Sequence, residues 1–456
     1  MIRDLTKGSE RKVMLLFSLP MILGNLLQQF YNIVDTLIVG KFLGANALGA
    51  VGSSYTLMVL ITSIILGLCM GSGVVFAQLF GAKKEEEIRT SIWNSFIFTA
   101  IVTIIINIVV FILLDKILVW INIPSEALEY TRAYLKVIFC GILFTFIYNF
   151  FASVLRSIGN SLMPLVFLAI SCILNIVLDI VFILPFSMGV SGAALATIIS
   201  QGVSALLISI YFFKKANNIC PRKENMHYSS TLLKMVMNNS ILTSVQQSIM
   251  NFGILLIQGL VNSFGVEVMA AFAAVVKIDS FAYMPVQDFG NAFSTYIAQN
   301  YGAKKSERIK RGTIEAIKIS AVFCVIVSAL VCIFSKELML LFIIPEEVGV
   351  INIGMKYLSI EGMYYIGIGC LFLLYGFYRG IGKSGMSIVL TIVSLGSRVA
   401  LSYILAPISS IGLVGIWWSI PIGWFLADVI GIGYFVLKRN KLLDFSKIEC
   451  EVNKVN

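Results

Sequence analysis

The chain carries itself twice. Ala77-Gln78-Leu79-Phe80-Gly81-Ala82-Lys83-Lys84 returns 221 residues later as Ala298-Gln299-Asn300-Tyr301-Gly302-Ala303-Lys304-Lys305. Arg156-Ser157-Ile158-Gly159 returns after 223 as Arg379-Gly380-Ile381-Gly382. Tyr134-Leu135 recurs as Tyr357-Leu358, and Gln28-Gln29 as Gln246-Gln247. A shift this steady means two homologous units in tandem, and it restricts the fold to two copies of one bundle.

The units are membrane bundles. Of 456 residues, 58% are hydrophobic and 13% charged, against about 25% charged in soluble domains. Twelve apolar runs each have the length to cross about 30 Å of hydrocarbon as a helix. They lie near 12–41, 46–78, 90–114, 126–155, 162–185, 190–213, 231–262, 266–300, 309–335, 348–380, 385–408 and 412–438. No stretch alternates as a membrane β-barrel strand does. The expected fold is an all-α integral membrane protein, twelve transmembrane helices in two pseudo-symmetric six-helix lobes. The first lobe is 1–213, a basic linker follows at 214–230, the second lobe is 231–438, and 439–456 is a tail.

The net charge of +10 records topology. Sorted by alternate loops, 25 Lys and Arg fall on the side of Arg3, Lys83, Arg156, Lys214, Lys304, Arg379 and Lys438. Six fall on the other: Lys41, Lys116, Arg132, Lys136, Lys336 and Lys356. The positive-inside rule makes the first side, with both termini, cytoplasmic. This distribution argues against nucleic acid as a partner and for a lipid bilayer, with the plasma membrane as location. Each lobe has an even span count, so the repeats are parallel, and a substrate cavity is expected between them. The first apolar run is too long for a cleavable signal. Eight cysteines without CxxC spacing read as free thiols, with neither disulfides nor a metal site expected.

Ionisable groups in a membrane span mark function by default. Asp35 and Asp179 each lie six residues before the outer end of their runs, about 9 Å deep at 1.5 Å per residue. Gln28, Tyr31, Asn32 and Asp35 share one helical face, as do Ser171, Asn175 and Asp179. Two polar stripes ending in carboxylates at one depth fit a hydrated pocket that binds and releases a proton. At the repeat positions the second lobe has Gly253 or Ile254 and Ser402, so the pair is confined to the first lobe. Pro20, fifteen residues before Asp35, offers a hinge in span 1.

The second lobe holds Lys277, Asp279, Met284 and Asp288 in span 8, with Lys277 and Asp288 three turns apart on one face. Lys277 could pair with a carboxylate from another helix, and Glu361, Arg398 and Asp428 are candidates for a polar network with it. Together with Gln28, Gln246 and Gln247 these span 8 residues and Glu361 are candidates for lining a substrate cavity. Gly67, Gly71 and Gly73 point to close helix packing. Gly376-Phe377-Tyr378-Arg379-Gly380-Ile381-Gly382-Lys383-Ser384 misses the phosphate-loop register and follows no strand. There is no HExxH and no GxSxG, so no enzyme and no cofactor are expected.

Several of these segments resemble the MATE (multidrug and toxic compound extrusion) exporters. Ser18-Leu19-Pro20, Tyr31-Asn32-Ile33-Val34-Asp35-Thr36 and Gly40-Lys41-Phe42-Leu43-Gly44 look like the family's first span. Ala77–Ala82, Leu155–Asn160 and Asn175–Asp179 look like parts of its second, fourth and fifth. The resemblance implies export of small amphipathic, often cationic drugs against inward protons or sodium by alternating access. It places the coupling carboxylates of the DNA-damage-inducible-type, proton-coupled branch at Asp35 and Asp179, with Tyr31, Asn175 and Thr197 as polar neighbours. The sodium-coupled NorM-like branch has acidic residues in spans 7 and 10, where this chain has Gln246 and Ile368. Sodium at Asp35 and Asp179 remains open, and a monomer is expected. A flippase for a lipid-linked sugar or cell-wall precursor and a non-transporting membrane scaffold are the alternatives.

Overall fold

The computed structural model describes residues 3–120, 123 and 125–442; Lys447, Cys450 and Lys454 lie outside them. Among the described residues the regular elements are all helical. They run α1 (Glu10–Leu43), α2 (Ala45–Gly81), α3 (Glu85–Trp120), α4 (Ser125–Cys140), α5 (Ile142–Ser157), α6 (Leu162–Ile183) and α7 (Gly189–Lys215). The second set is α8 (Ser230–Asn262), α9 (Val266–Gly302), α10 (Ser306–Ile333), α11 (Ser335–Leu340), α12 (Val348–Gly362), α13 (Tyr365–Gly380), α14 (Ser384–Leu405) and α15 (Leu413–Leu442). Nine described helices are long and apolar enough to span a bilayer, and the bent pairs α4–α5 and α12–α13 bring the number to 11. The twelfth expected span is α9, whose 37 residues include Lys277, Asp279 and Asp288.

Lipid as solvent explains why these sequences fold inside out. On α3, Ile101, Ile104, Ile105, Ile108 and Ile112 are exposed, while Ser91, Ser95, Thr99 and Thr103, spaced by four, are fully buried. An apolar outer face costs nothing in hydrocarbon, and small hydroxyl residues let helices approach and bond. Ser95 Oγ donates to Ser72 Oγ at 2.8 Å, and Ser72 Oγ lies 2.9 Å from Ser240 Oγ, linking α3, α2 and α8.

The repeat holds in three dimensions. α6 packs on α7 as α14 does on α15, and α2 packs on α5 as α9 does on α13. Left-handed backbone recurs at matched loop positions: Lys83 and Lys304 (φ 58 and 56), Gly44 and Gly265 (φ 86 and 101), Gly159 and Gly382 (φ 83 and 74). The fourth span of each unit is broken, by 47° between α4 and α5 and by 52° between α12 and α13. Proline is not the cause. α1, α9 and α15 run unbroken through Pro20, Pro285 and Pro421. The first break falls at Gly141, where a Cβ would stand 2.5 Å from Ile198 of α7.

Packing divides the chain differently from the 214–230 linker. Among the described residues one unit holds Arg3 and Leu23–Ser244, the other Asp4–Ile22 and 245–442. The divisions at 22 and 244 fall inside α1 and α8, one repeat length apart, so each unit takes the leading half of the other's first helix. The linker itself is docked on its unit. Arg89 Nε donates to Asn218 O at 3.2 Å, and Asn94 Nδ2 to His227 O at 3.0 Å.

In the other unit the segment before α1 is held by α9 and α10. Arg308 donates to the carbonyls of Leu5, Lys7 and Gly8 at 3.2 Å, 3.0 Å and 2.7 Å and pairs with Glu10 at 3.3 Å. Leu5 N donates to Gln299 Oε1 at 3.0 Å. Hydrogen bonds to a charged group contribute about 1.5–3 kcal/mol each when buried, less here because part of the contact is exposed. Arg308→Ala is expected to lower stability by about 2 kcal/mol and speed amide exchange at Leu5–Gly8, read by exchange mass spectrometry in detergent. Unchanged exchange there would show that the segment is held by other contacts.

Candidate functional site: a buried carboxyl pair in each unit

In the first unit α1 supplies Asp35 and α6 supplies Asp179, 8% and 0% exposed. Asp35 lies eight residues before the end of α1 and Asp179 four before the end of α6, about 12 Å and 6 Å at 1.5 Å per residue. The side chains meet because the helix ends are staggered. The two carboxyl groups lie within hydrogen-bond range of each other, and Oδ1 of each has no partner. Two carboxylates have no donor between them, so such a contact needs a proton or another cation.

Asn175 sits one turn before Asp179 and is 1% exposed. With its amide oriented to satisfy both ends, it donates to Asp179 Oδ2 at 3.2 Å and accepts from Thr197 N–H at 3.2 Å. Thr197 Oγ1 donates to Ala193 O at 3.1 Å, tying α7 to the site. The Tyr31 phenol lies close to both carboxyls and to Cys172 and Tyr55. Tyr134, 3% exposed, lies near Asp35, Asp179 and Tyr31. Asn32 is half-buried and Gln28 exposed; among the described residues neither bonds to the pair.

The second unit has its own pair. Asp279 of α9 and Glu361 of α12 are each 4% exposed and within hydrogen-bond range of each other. Tyr365 Oη donates to Asp279 Oδ1. Tyr357 bonds to Glu361 and stacks on Trp417 at 4.1 Å. The charge of Arg398 acts on both acids from α14. Lys277 is exposed, while Asp288 on the same helix is 3% exposed; Pro285 lies between them. Asp428 turns to Cys370 of α13. Met284 and Gln247 are half-buried and Gln246 is 2% exposed. Among the described residues no group of three or more His, Cys, Asp or Glu could hold a metal ion.

The family model described as MatE matches residues 20–181 and 240–404, two stretches that begin one repeat apart. The chain belongs to the MatE family. It is 33% identical over 395 residues to the Bacillus subtilis (strain 168) "Probable multidrug resistance protein YpnP", covering 86% of this chain and 87% of that one. It superimposes on a solved MOP-superfamily transporter from Pyrococcus furiosus with a TM-score of 0.91 at 25% identity, covering 97% of this chain and 98% of that one. A multidrug resistance MATE family transporter solved in an outward-facing conformation gives 0.89 at 25%, with 96% and 98% covered. The MatE repeat therefore accounts for both lobes, and this is a multi-pass membrane transporter rather than an enzyme.

Sequence reasoning missed Tyr134 and Tyr55 beside the first pair, and Tyr357 and Tyr365 beside the second. A signal existed for two of them. Tyr134 and Tyr357 are repeat partners, and each stands beside its own unit's carboxyls, although those carboxyls occupy different positions in the two units.

Proposed function

We propose that this MatE protein exports small amphipathic, often cationic organic compounds in exchange for inward protons at Asp35 and Asp179. The observation that carries the reading is the contact between these two buried carboxyls, each with an oxygen left unpartnered. One bound proton removes a negative charge from a site that water barely reaches. That change of charge supplies the differential free energy an alternating-access cycle requires. Asn175 and Thr197 orient Asp179, and Tyr31 and Tyr134 wall the pair. Proton loading alters the bend of α1 near Pro20, substrate leaves outward, and proton loss resets the cycle. The names of the multidrug relatives support the substrate class. The Lys and Arg asymmetry supports a plasma-membrane location with both termini cytoplasmic. The transporter works as a monomer and needs no cofactor.

Ethidium efflux from cells expressing the chain tests the reading. Efflux is expected to persist in sodium-free buffer and to stop when a protonophore collapses the gradient. Efflux that requires sodium would keep the site and replace the ion. Efflux indifferent to both gradients would overturn ion exchange at this pair.

A further inference from the structure

We propose that the second unit binds an anionic phospholipid of the cytoplasmic leaflet, its phosphate held between the guanidiniums of Arg11 on α1 and Arg311 on α10. The choice of leaflet rests on the cytoplasmic termini proposed above. The binding itself does not, and it is independent of both carboxyl pairs. The site is a cleft of about 330 Å³ where α1 begins beside α10, lined by Ser9, Glu10, Arg11, Arg311, Ile314 and Glu315.

The charge this cleft offers a ligand is positive. Glu10 is paired with Arg308 at 3.3 Å and Glu315 with Lys318 at 2.8 Å. Glu307, one turn before Arg311, is paired with Lys310 at 2.6 Å. Arg11 and Arg311 are exposed, and with those acids paired elsewhere their guanidiniums are the charges that face a ligand. Planar guanidinium forks match the oxygens of a phosphate. An ammonium headgroup would have to compete with Arg308 or Lys318 for a carboxylate, which favours an anionic lipid over a zwitterionic one.

The cleft lies at the depth of headgroups. Within two turns of it, Leu15 and Leu19 of α1 are 39% and 51% exposed, and Ile314 and Ile317 of α10 are 54% and 52% exposed. Both helices have the length and hydropathy of membrane spans, so these exposed apolar side chains belong in hydrocarbon. Guanidiniums one turn short of them sit at the polar boundary, where basic side chains attract anionic lipid. A phospholipid satisfies both zones at once, its phosphate on the arginines and its acyl chains on the leucines and isoleucines. A free phosphate would satisfy only the first.

The first unit closes the matching junction with protein. The Gln28–Gln246 shift maps Arg11 to Ser229, and the shift of 221 maps Arg311 to Thr90 and Glu315 to Asn94. There the segment before α8 bonds directly to α3. Asn94 donates to His227 O at 3.0 Å and accepts from Ser229 N–H at 3.2 Å. Thr90 and Asn94 are 4% and 6% exposed. The repeat therefore folds at this junction with neutral, buried residues, and neither the cleft nor its arginines is a requirement of the fold.

Native mass spectrometry of the purified full-length chain in detergent is the test, with phosphatidylglycerol, phosphatidylethanolamine or inorganic phosphate added. Phosphatidylglycerol is expected to bind at least about 10-fold tighter than phosphatidylethanolamine. Arg11→Gln/Arg311→Gln should weaken it by at least about 10-fold, the scale of two basic contacts with anionic lipid. Lys214→Gln/Lys215→Gln removes the same charge from exposed positions at the end of α7 and should leave binding unchanged. Amide exchange at Glu10–Val13 should slow when phosphatidylglycerol is added to the wild type but not to the arginine variant. All four replaced side chains are exposed, and melting temperatures check that both variants fold. An equal loss in the lysine variant would mean diffuse attraction and overturn the site. Equal binding of phosphatidylethanolamine would overturn the anionic assignment. Arginine-dependent binding of phosphate without binding of phosphatidylglycerol would replace the lipid by a free anion. None of these readouts requires transport, so a failed efflux assay and a failure here are separate results.

Discussion

Asp35→Asn is expected to reduce gradient-driven ethidium export by at least about 100-fold, to the level of cells lacking the protein, with the variant still folded and in the membrane. The amide keeps the volume and hydrogen-bonding reach of the carboxyl but can neither bind nor release a proton. It fixes the pair near its neutral state, so the cycle loses the step that distinguishes its two ends. A 100-fold loss is about 2.7 kcal/mol, within what one buried charge contributes at effective protein dielectric. Asp179→Asn should do the same, since the two carboxyls share one contact. Asn175→Ala should be milder, because it removes one 3.2 Å donor to Asp179 and leaves both acids. Initial efflux rates normalised to membrane-inserted protein are the measurement. Asp35→Asn retaining half of wild-type proton-driven efflux would exclude the mechanism.

Gly71→Leu is expected to prevent the first unit from folding. A Cβ at Gly71 would stand 2.4 Å from Asn239 O and 2.5 Å from Ser240 Cα; at Gly67 it would stand 2.3 Å from Ser244 Cα. The obstacles are backbone atoms of α8, which cannot rotate aside as a side chain does. Inserting a few methylenes into a core that can shift costs about 1–3 kcal/mol. Here the helices themselves must part, which also breaks the Ser95–Ser72–Ser240 hydroxyl chain, at about 0.6 kcal/mol per interhelical bond in a membrane. Gly49, in the same helix, has open space around its Cβ position. Gly49→Ala should therefore be neutral or stabilise by up to about 1 kcal/mol, the helix-propensity gain. Size-exclusion profiles and thermal shifts in detergent compare the two. A monodisperse, wild-type-like Gly71→Leu would mean that α2 and α8 do not pack this closely.

Both predictions rest on residues the sequence had already marked, and the reason is the solvent. In lipid every span must be long and apolar, so Asp35 and Asp179 stand out against runs such as Leu162–Ile183 with no further charge. The glycines of α2 stand out likewise, since close approach needs small residues at helical spacing. The second pair was only half legible. Asp279 and Glu361 were singled out separately, but span 8 also contains Lys277 and Asp288, and helical spacing could not say which charge turns inward.

The sequence by itself determined the number of units, their helical class, the parallel repeat and the identity of the acids that merit attention. These follow from period, length and charge, quantities that are local or repeat at fixed distance. Only the tertiary structure decided where the spans break, that the leading halves of α1 and α8 pack with the opposite unit, and that Glu361 meets Asp279. Those outcomes depend on stagger, rotation and tilt between helices distant in the chain. A single sequence records which face of a helix is polar but not which neighbour that face will meet.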